Sequence, residues 1–333
     1  MSFKRLDPED FLVSADSIIS PAWSDYETFL VYPNLYKSLT QQNSDSGQYY
    51  LNVYSTDPTV NPNAEIQFAT TYGDASGLGQ ALYNSSVSGS SPTRTVYGQF
   101  VNLLLGEDEG ASFNFGLNGP QSFFALTINR THYKQALLPG SLQIRGLAPG
   151  GAYITDNSRV TSVVDYTPAG RRFTLGSGSF GDGVMPAGSV NGVHGYLYPD
   201  IGIIILNPLA FNPTILNDPI NPVWLRDSNI NSNNPDRLRQ KLTQFSLQNE
   251  ETITSNYIFC RARNAEFGYS TNPSFTFSFF SSSLNDFIQT PSTYITSVGL
   301  YNNNNELLAV AKLSKPLKKD FTSEALIRVK LDF

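Results

Sequence analysis

The C-terminal third of the chain is patterned as β-strands separated by polar turns, and this pattern constrains the fold more than any other feature. In residues 325–333, apolar side chains alternate with Arg328, Lys330 and Asp332. A period of two puts apolar side chains on one face of a strand and polar ones on the other. We therefore predict a strand at this position.

A β-hairpin is predicted just before it. Residues 293–301 and 306–313 are rich in apolar and β-branched side chains, and four consecutive asparagines separate them at 302–305. Asparagine tolerates left-handed backbone angles and hydrogen-bonds its own chain, which suits a hairpin loop. Similar patterns predict further strands at 48–54, 64–71, 123–128, 141–145, 160–166, 172–175, 201–206, 252–263 and 274–280.

The composition favours the same fold class. Charged residues make up 15% of the chain, against about 25% in a typical globular protein. Aromatic residues reach 13%, and aromatic side chains fit a pleated, half-buried surface. We predict a mainly β protein with antiparallel sandwich-like sheets and a few short helices.

Two short helices are predicted within this pattern. The first has Ser91 as N-cap and Pro92 at its first position, and Gly106 can end it. The second covers residues 235–245 and is capped by Asn234. Spacings of three and four residues predict the apolar faces Val96, Phe100, Leu103 and Leu104 in the first helix, and Leu238, Leu242 and Phe245 in the second.

Four segments are predicted from the run lengths and the loop composition. Residues 1–40 have short, interrupted apolar runs and are interpreted as an extended N-terminal arm. Residues 41–206 form a β-rich domain, and residues 207–234, rich in proline and asparagine, form a linker. Residues 235–333 form a helix and an antiparallel sheet that can pack with the preceding domain.

Patterns typical of catalysis or cofactor binding are weak. Residues 176–181 match G-x-G-x-x-G, but the following residues do not predict the helix that a dinucleotide site needs, so we interpret them as a loop. His132 and His194 lack the spacing of a metal site or a catalytic triad. Cys260 lies in an apolar strand, and residues 107–109 form an acidic turn. We expect no enzymatic activity, no metal site and no cofactor.

The net charge of −6 argues against nucleic acid as a partner. The basic cluster near the C-terminus is interpreted as a solvated edge; it consists of Lys312, Lys315, Lys318 and Lys319. The first residues lack the apolar core of a signal peptide, and no run approaches the roughly 18 apolar residues of a membrane span. We expect synthesis in the cytoplasm and no membrane partner.

Several segments together resemble a family of virion structural proteins of T4-like contractile-tailed phages, notably marine and cyanobacterial ones. The residues that carry the resemblance are 16–18 with 23–24, 65–69 with 72–73, 96–100 with 103–105, 198–204, 291–301 with 306–316, and 325–333. The resemblance spans nearly the whole chain, and its motifs are structural. The hairpin at 295–312 is also similar to segments of tail-fibre and baseplate proteins.

The resemblance implies a multi-copy, symmetric virion component whose partners are other virion structural proteins, most simply in the tail or baseplate. The interface residues predicted for this role are Phe11, Leu12, Trp23, Tyr294, Leu300 and Tyr301. A neck or capsid-vertex protein and a fibre-attachment or receptor-binding protein are alternatives. A particle-bound glycan hydrolase is a third, without a catalytic pattern to support it.

Overall fold

The computed structural model describes residues 4–24, 27, 29–31, 50–79, 92–106, 112–113, 115, 122–148, 151–184, 193–211, 234–270 and 289–332. The chain has two compact units: a terminal unit, Met1–Asp16 with Thr252–Phe333, and a central unit, Ser17–Glu251. This division falls at other positions than the predicted boundaries after residues 40, 206 and 234, which stay predictions.

Within the described residues, strands greatly outnumber helices. The helices are α1 (Pro92–Leu105) and α2 (Asn234–Lys241), and 3₁₀ turns cover Pro8–Asp10 and Arg130–His132. The strands are β1 (Phe11–Pro21), β2 (Phe29–Val31), β3 (Tyr50–Tyr54), β4 (Ile66–Asp74), β5 (Ser122–Ile128), β6 (Ala136–Leu137), β7 (Gln143–Arg145), β8 (Ile154–Asp156), β9 (Asp165–Thr167), β10 (Gly170–Ser177), β11 (Gly195–Tyr198), β12 (Ile203–Leu206), β13 (Gln244–Ser246), β14 (Gln248–Ala262), β15 (Ser292–Tyr301), β16 (Leu307–Asp320) and β17 (Ala325–Asp332).

Most of the central unit is one large antiparallel sheet. Its strand order is β2-β13-β7-β8-β10-β11-β12-β5-β4-β3, and β9 pairs with β10. In the middle of the sheet, Phe124 pairs with Tyr72 on one side and with Leu206 on the other. The predicted class, mainly β with antiparallel sandwich-like sheets and a few short helices, is confirmed.

Strand β5 is buried on both faces, and its alternate residues enter two separate cores. Phe124, Leu126 and Ile128 belong to one core, whereas Phe123 and Ala125 belong to the other. Successive side chains of a strand point to opposite faces, so a strand covered on both sides needs a continuous apolar run. The sequence of β5 has such a run.

The first core includes an aromatic cluster around Trp23. The ring centroid of Trp23 lies 4.9 Å from that of Phe245 and 6.1 Å from that of Phe68. The indole Nε1 donates a hydrogen bond of 3.0 Å to the backbone oxygen of Phe245, which satisfies its buried polar group. Trp23 was predicted within an extended arm, but the structure places it in the core of the central unit.

Helix α1 covers the second core. It spans Pro92–Leu105, close to the predicted range, and Gly106 follows it with a φ of 93°, as expected for a helix-ending glycine. The buried face consists of Thr93, Tyr97, Val101 and Leu104. The predicted face was wrong at Leu103, which is 53% exposed, because the sheet lies against the side of the helix that carries Tyr97.

Helix α2 is shorter than the predicted range 235–245. It ends at Lys241, and Phe245 lies instead in β13, where it pairs with Ile144. The end of α2 lies directly against Gly146, next to β7, where a Cβ would lie 1.9 Å from the Lys241 backbone oxygen. The residues after Lys241 then pair with β7 as part of β13 instead of continuing the helix. The predicted apolar residues are all buried in the first core: Leu238, Leu242 and Phe245.

The terminal unit has two layers. Strand β14 pairs antiparallel with β17, and β15 pairs with β16 in a long hairpin. The inward face of the hairpin, through Leu300, joins Ile258 and Val329 in a small apolar core. On the other side of β14 the sheet order continues to β1.

The predicted asparagine turn is confirmed at the end of this hairpin. The side-chain oxygen of Asn302 accepts hydrogen bonds from the backbone nitrogens of Asn304 and Glu306, at 3.0 and 2.8 Å. Asn305 has a φ of 61°, the left-handed conformation that asparagine tolerates. These local interactions join β15 to β16.

Other predictions have different outcomes. The strand predicted at 160–166 was wrong over most of its length, because β9 begins at Asp165. Residues 160–161 instead donate backbone hydrogen bonds to the oxygen of Asn157, in a turn. The strand at 274–280, the acidic turn at 107–109 and most of the predicted linker lie outside the described residues.

The turn between β11 and β12 depends on Gly202. Its φ is 69°, and a Cβ at this position would lie 2.6 Å from the ring of Tyr133. Its backbone oxygen accepts a hydrogen bond of 2.9 Å from Ile128. A side chain here would therefore disturb both the turn and its packing.

Replacing this glycine should destabilise the protein. We expect Gly202→Ala to lower the free energy of unfolding by roughly 2–4 kcal/mol, since left-handed strain adds to overpacking. Gly98→Ala is the matched control: Gly98 lies within α1 with nothing within 4 Å of the new methyl group, so it should stabilise by about 0.5–1 kcal/mol. Urea unfolding followed by circular dichroism measures both, and equal effects would contradict the analysis.

Candidate assembly surface

The outer face of the β15–β16 hairpin carries exposed apolar side chains near its turn. Tyr301, Leu307, Leu308 and Val310 are 39, 52, 68 and 61% exposed; these four residues are named the hairpin patch. Val310 lies opposite Gly299, and a Cβ on Gly299 would lie 2.9 Å from Cε2 of the Tyr301 ring. The glycine therefore leaves room for the tyrosine ring on the outer face.

A second apolar surface lies at the start of β1. Phe11, Leu12 and Val13 are 50, 55 and 66% exposed, and they are named the β1 surface. Because neighbouring residues of a strand point to opposite faces, both faces of this part of β1 are open within the described residues. β1 pairs with β14, but little of the apolar surface of these three residues is covered.

Such surfaces are typical of proteins that bind other proteins. Contiguous exposed apolar area is unusual on a soluble monomer and marks interaction sites. A two-stranded hairpin is also marginally stable by itself, and here its inner face is covered whereas its outer face is not. The hairpin patch and the β1 surface are therefore the candidate functional site.

The predicted interface residues fall into two groups. Phe11, Leu12, Tyr294 and Tyr301 are exposed, with Tyr294 at 62%. Trp23 and Leu300 differ from the expectation, because they are 3% and 9% exposed and pack inside the chain itself. Sequence reasoning did not identify Leu307, Leu308 and Val310 as interface residues. The signal that could have found Leu308 and Val310 is their alternation in the strand that follows the asparagine turn.

The basic cluster of β16 is divided between solvent and interior. The exposed lysines are Lys312, Lys315 and Lys318. Lys319 is fully buried, and its Nζ donates hydrogen bonds to the backbone oxygens of Asn264 and Asp320, at 3.0 and 2.5 Å. A buried ammonium group needs such partners, so Lys319 has a structural role and the other three supply surface charge.

A charged cluster that sequence analysis missed lies in the central unit. Arg171 donates to Oδ1 of Asp200 from Nε at 2.9 Å and from Nη2 at 2.7 Å, and its backbone nitrogen donates to Oδ2 at 2.7 Å. Nη2 also donates to Glu250 at 3.2 Å. Charge-assisted hydrogen bonds of this kind are strong, so the cluster joins the start of β10 to the β11–β12 turn and β14. Its partners are far apart in the sequence.

The patterns considered for chemistry have structural roles. Residues 176–181 leave β10 through turns, and the next described residues, 182–184, are not helical. Gly181 donates its backbone N–H to Oγ1 of Thr155 at 3.0 Å. Nε2 of His132 lies 2.7 Å from the backbone oxygen of Ile66. Burial raises the pKa of the half-buried Cys260 thiol. Within the described residues, no group of histidine, cysteine and carboxylate side chains is arranged to hold a metal ion.

Comparison with known proteins identifies no relative: no family model, no curated protein and no solved structure matches the chain. Among the helices of the described residues, none has the length and apolar character needed to cross a membrane.

His194 is a buried ionisable group in the central unit. Its side chain is covered, its ring centroid lies 5.4 Å from that of Phe211, and its backbone nitrogen donates to the oxygen of Leu175 at 3.2 Å. Within the described residues, Nδ1 has no hydrogen-bond partner. Burial lowers the pKa of the imidazole to about 4, because desolvation disfavours the charged form.

This burial predicts a loss of stability in acid. Between pH 6.5, the ordinary pKa, and about pH 4, the unfolded chain binds a proton at His194 and the folded chain does not. The free energy of unfolding should therefore fall as the pH drops through this window, by about 3 kcal/mol from this group. His194→Gln should reduce that fall, as measured by urea unfolding at a series of pH values.

A measurement at pH 8, where His194 is neutral in both states, gives the packing cost of the substitution separately. The same acid-induced loss in His194→Gln as in the unsubstituted protein would contradict the assignment.

Proposed function

We propose that the protein is a structural subunit of a tailed-bacteriophage virion, in the tail or baseplate, and that it acts through protein–protein interfaces. The observation that carries the proposal is the hairpin patch, a set of exposed apolar side chains on a strand face with a covered opposite side. Fully burying one such side chain contributes about 1.5–3 kcal/mol. These side chains are 39–68% exposed, so a partner that covers the patch would gain roughly half of this energy for each of them.

The fold is compatible with such a role. Sheets with many aromatic residues and few charges provide rigid surfaces, and interface cores favour aromatic over charged side chains. Arg171 is held by Asp200 and Glu250, and His194 is buried within the central unit. The proposal therefore assigns an assembly role and no catalytic step.

The assignment to a phage particle rests on the sequence resemblance. The resembling segments include the β11–β12 turn, the β15–β16 hairpin and β17, and these elements form the turn at Gly202 and the layers of the terminal unit. The looser likeness of the hairpin to tail-fibre and baseplate segments favours the tail or baseplate over the neck or capsid vertex.

The location is tested by electron microscopy of intact particles labelled with gold-conjugated antibodies against this protein. Label at the distal end of the tail is the expected result. Label at the head–tail junction or the capsid vertices would favour the neck or capsid alternative. Absence of the protein from disrupted, purified virions would reject the virion role.

Changes to the hairpin patch should block incorporation into particles. In a phage that lacks the gene and is complemented from a plasmid, we expect the Leu308→Gln/Val310→Thr variant to be incorporated at least about tenfold less, since tenfold corresponds to 1.4 kcal/mol of lost binding. Quantitative mass spectrometry of purified particles gives the copy number of each variant.

The matched control changes two exposed valines of the central unit, Val60→Thr/Val163→Thr, at positions 81% and 77% exposed. Both variants should unfold like the unsubstituted protein, because exposed substitutions usually alter stability by less than about 0.5 kcal/mol. Equal incorporation of the two variants would remove the hairpin patch from the proposal.

A further inference from the structure

Positive charge adjoins the hairpin patch. Leu308, Val310 and Lys312 alternate along β16, so they share its outer face. Lys315 follows in the exposed segment of the same strand. Within the described residues, neither lysine has an ion-pair partner within 4 Å. Glu306, which precedes Leu307, is also exposed, and its carboxylate accepts a hydrogen bond of 2.6 Å from Nδ2 of Asn302 at the turn. The hairpin patch is thus an apolar surface with an acidic residue at the turn and a basic border at its other end.

Negative charge adjoins the β1 surface. Glu9 precedes Phe11 by two residues, Asp16 follows Val13 by three, and both carboxylates are exposed. Within the described residues, neither is in an ion pair shorter than 4 Å. The pKa of Lys330 in β17 is raised mainly by its hydrogen bond to Asp332 and also by Asp16, so Asp16 has one cationic neighbour in its own chain. The β1 surface is thus an apolar surface with an acidic border, complementary in charge to the basic end of the hairpin patch.

We propose that the hairpin patch of one copy binds the β1 surface of a second copy of this chain. Protein interfaces combine an apolar centre with a charged border, and opposite charges on the two borders steer and orient association. The inference rests on the proposed function and deepens it, because it names the first partner of the subunit as the subunit itself.

The contact joins two different surfaces, so it is head-to-tail. A head-to-tail contact leaves one free surface of each kind at the ends, and it adds further copies until a ring closes or an open filament forms. A symmetric two-fold dimer is not the product of this pairing. The number of copies in a closed ring is set by the rotation angle that relates one copy to the next.

Side chains, rather than a shared β-ladder, make the contact on the β16 side. The pairing of β15 with β16 jumps from Ile295↔Leu317 to Ser297↔Lys312, so the strand is bulged where Pro316 lies. Proline, lysine and a bulge each hinder addition of another strand to an edge. The open face of the patch, with its lysines, is therefore the docking surface.

A charge-exchange experiment on the full chain tests the proposal. Sedimentation velocity over a concentration series should show that the unsubstituted protein self-associates. Lys312→Glu/Lys315→Glu and Glu9→Lys/Asp16→Lys should each weaken self-association at least about tenfold, because like charges then face each other. An equimolar mixture of the two variants should associate again, since the acidic hairpin of one meets the basic β1 surface of the other.

The matched control, Arg94→Glu/Arg159→Glu, makes the same charge change at two exposed residues of the central unit and should associate like the unsubstituted protein. A monomeric unsubstituted protein at all concentrations, or variants that the mixture does not restore, would overturn the inference. Gold label on the particle would stand in either case, so failure of this contact is distinguishable from failure of the proposed function.

Discussion

Burial of strand β5 on both faces is the constraint on which the rest of the central unit depends. Each face needs its own apolar cover, and the two covers come from distant parts of the chain. Helix α1 lies over the side of Phe123, whereas Trp23 and Phe245 belong to the core that contains Phe124. This requirement explains why Trp23, which precedes the strands of the sheet in a stretch of short and interrupted apolar runs, and Phe245, in β13 of the same sheet, are both buried.

In the terminal unit, alternate side chains of the hairpin strands also point to opposite faces, but only one of the two faces is covered. Leu300 and its inward neighbours close a small core, whereas the outer face of the hairpin stays open to solvent. Exposed lysines beside that face favour solubility. They also favour association with acidic surfaces over basic ones. The large sheet of the central unit is covered on both faces of β5, whereas the hairpin of the terminal unit leaves apolar side chains exposed. Under the proposed function, this exposed face is the part of the chain that a partner would cover.

Much of the local structure could be predicted, because its causes are local. The hairpin around the four asparagines depends on hydrogen bonds made by Asn302 within five residues, and Gly106 ends α1 through its own backbone conformation. The errors occurred where distant segments compete for the same residues. Phe245 has helical spacing, yet pairing with Ile144 draws it into a strand. The face of α1 likewise depends on which side the sheet covers, and this is not visible in the spacing of its leucines.

The candidate site divides in the same way. The sequence by itself determined the strand class and the hairpin with its asparagine turn, since both follow from alternation and from contacts between near neighbours in the chain. Tertiary structure alone decided which of the alternating faces is covered, that Lys319 is buried beside exposed lysines, and that Arg171 joins Asp200 to Glu250. Burial of a residue depends on which other segment covers it, and the chain brings such segments together across 222 residues at Trp23 and Phe245 and across 79 residues at Arg171 and Glu250.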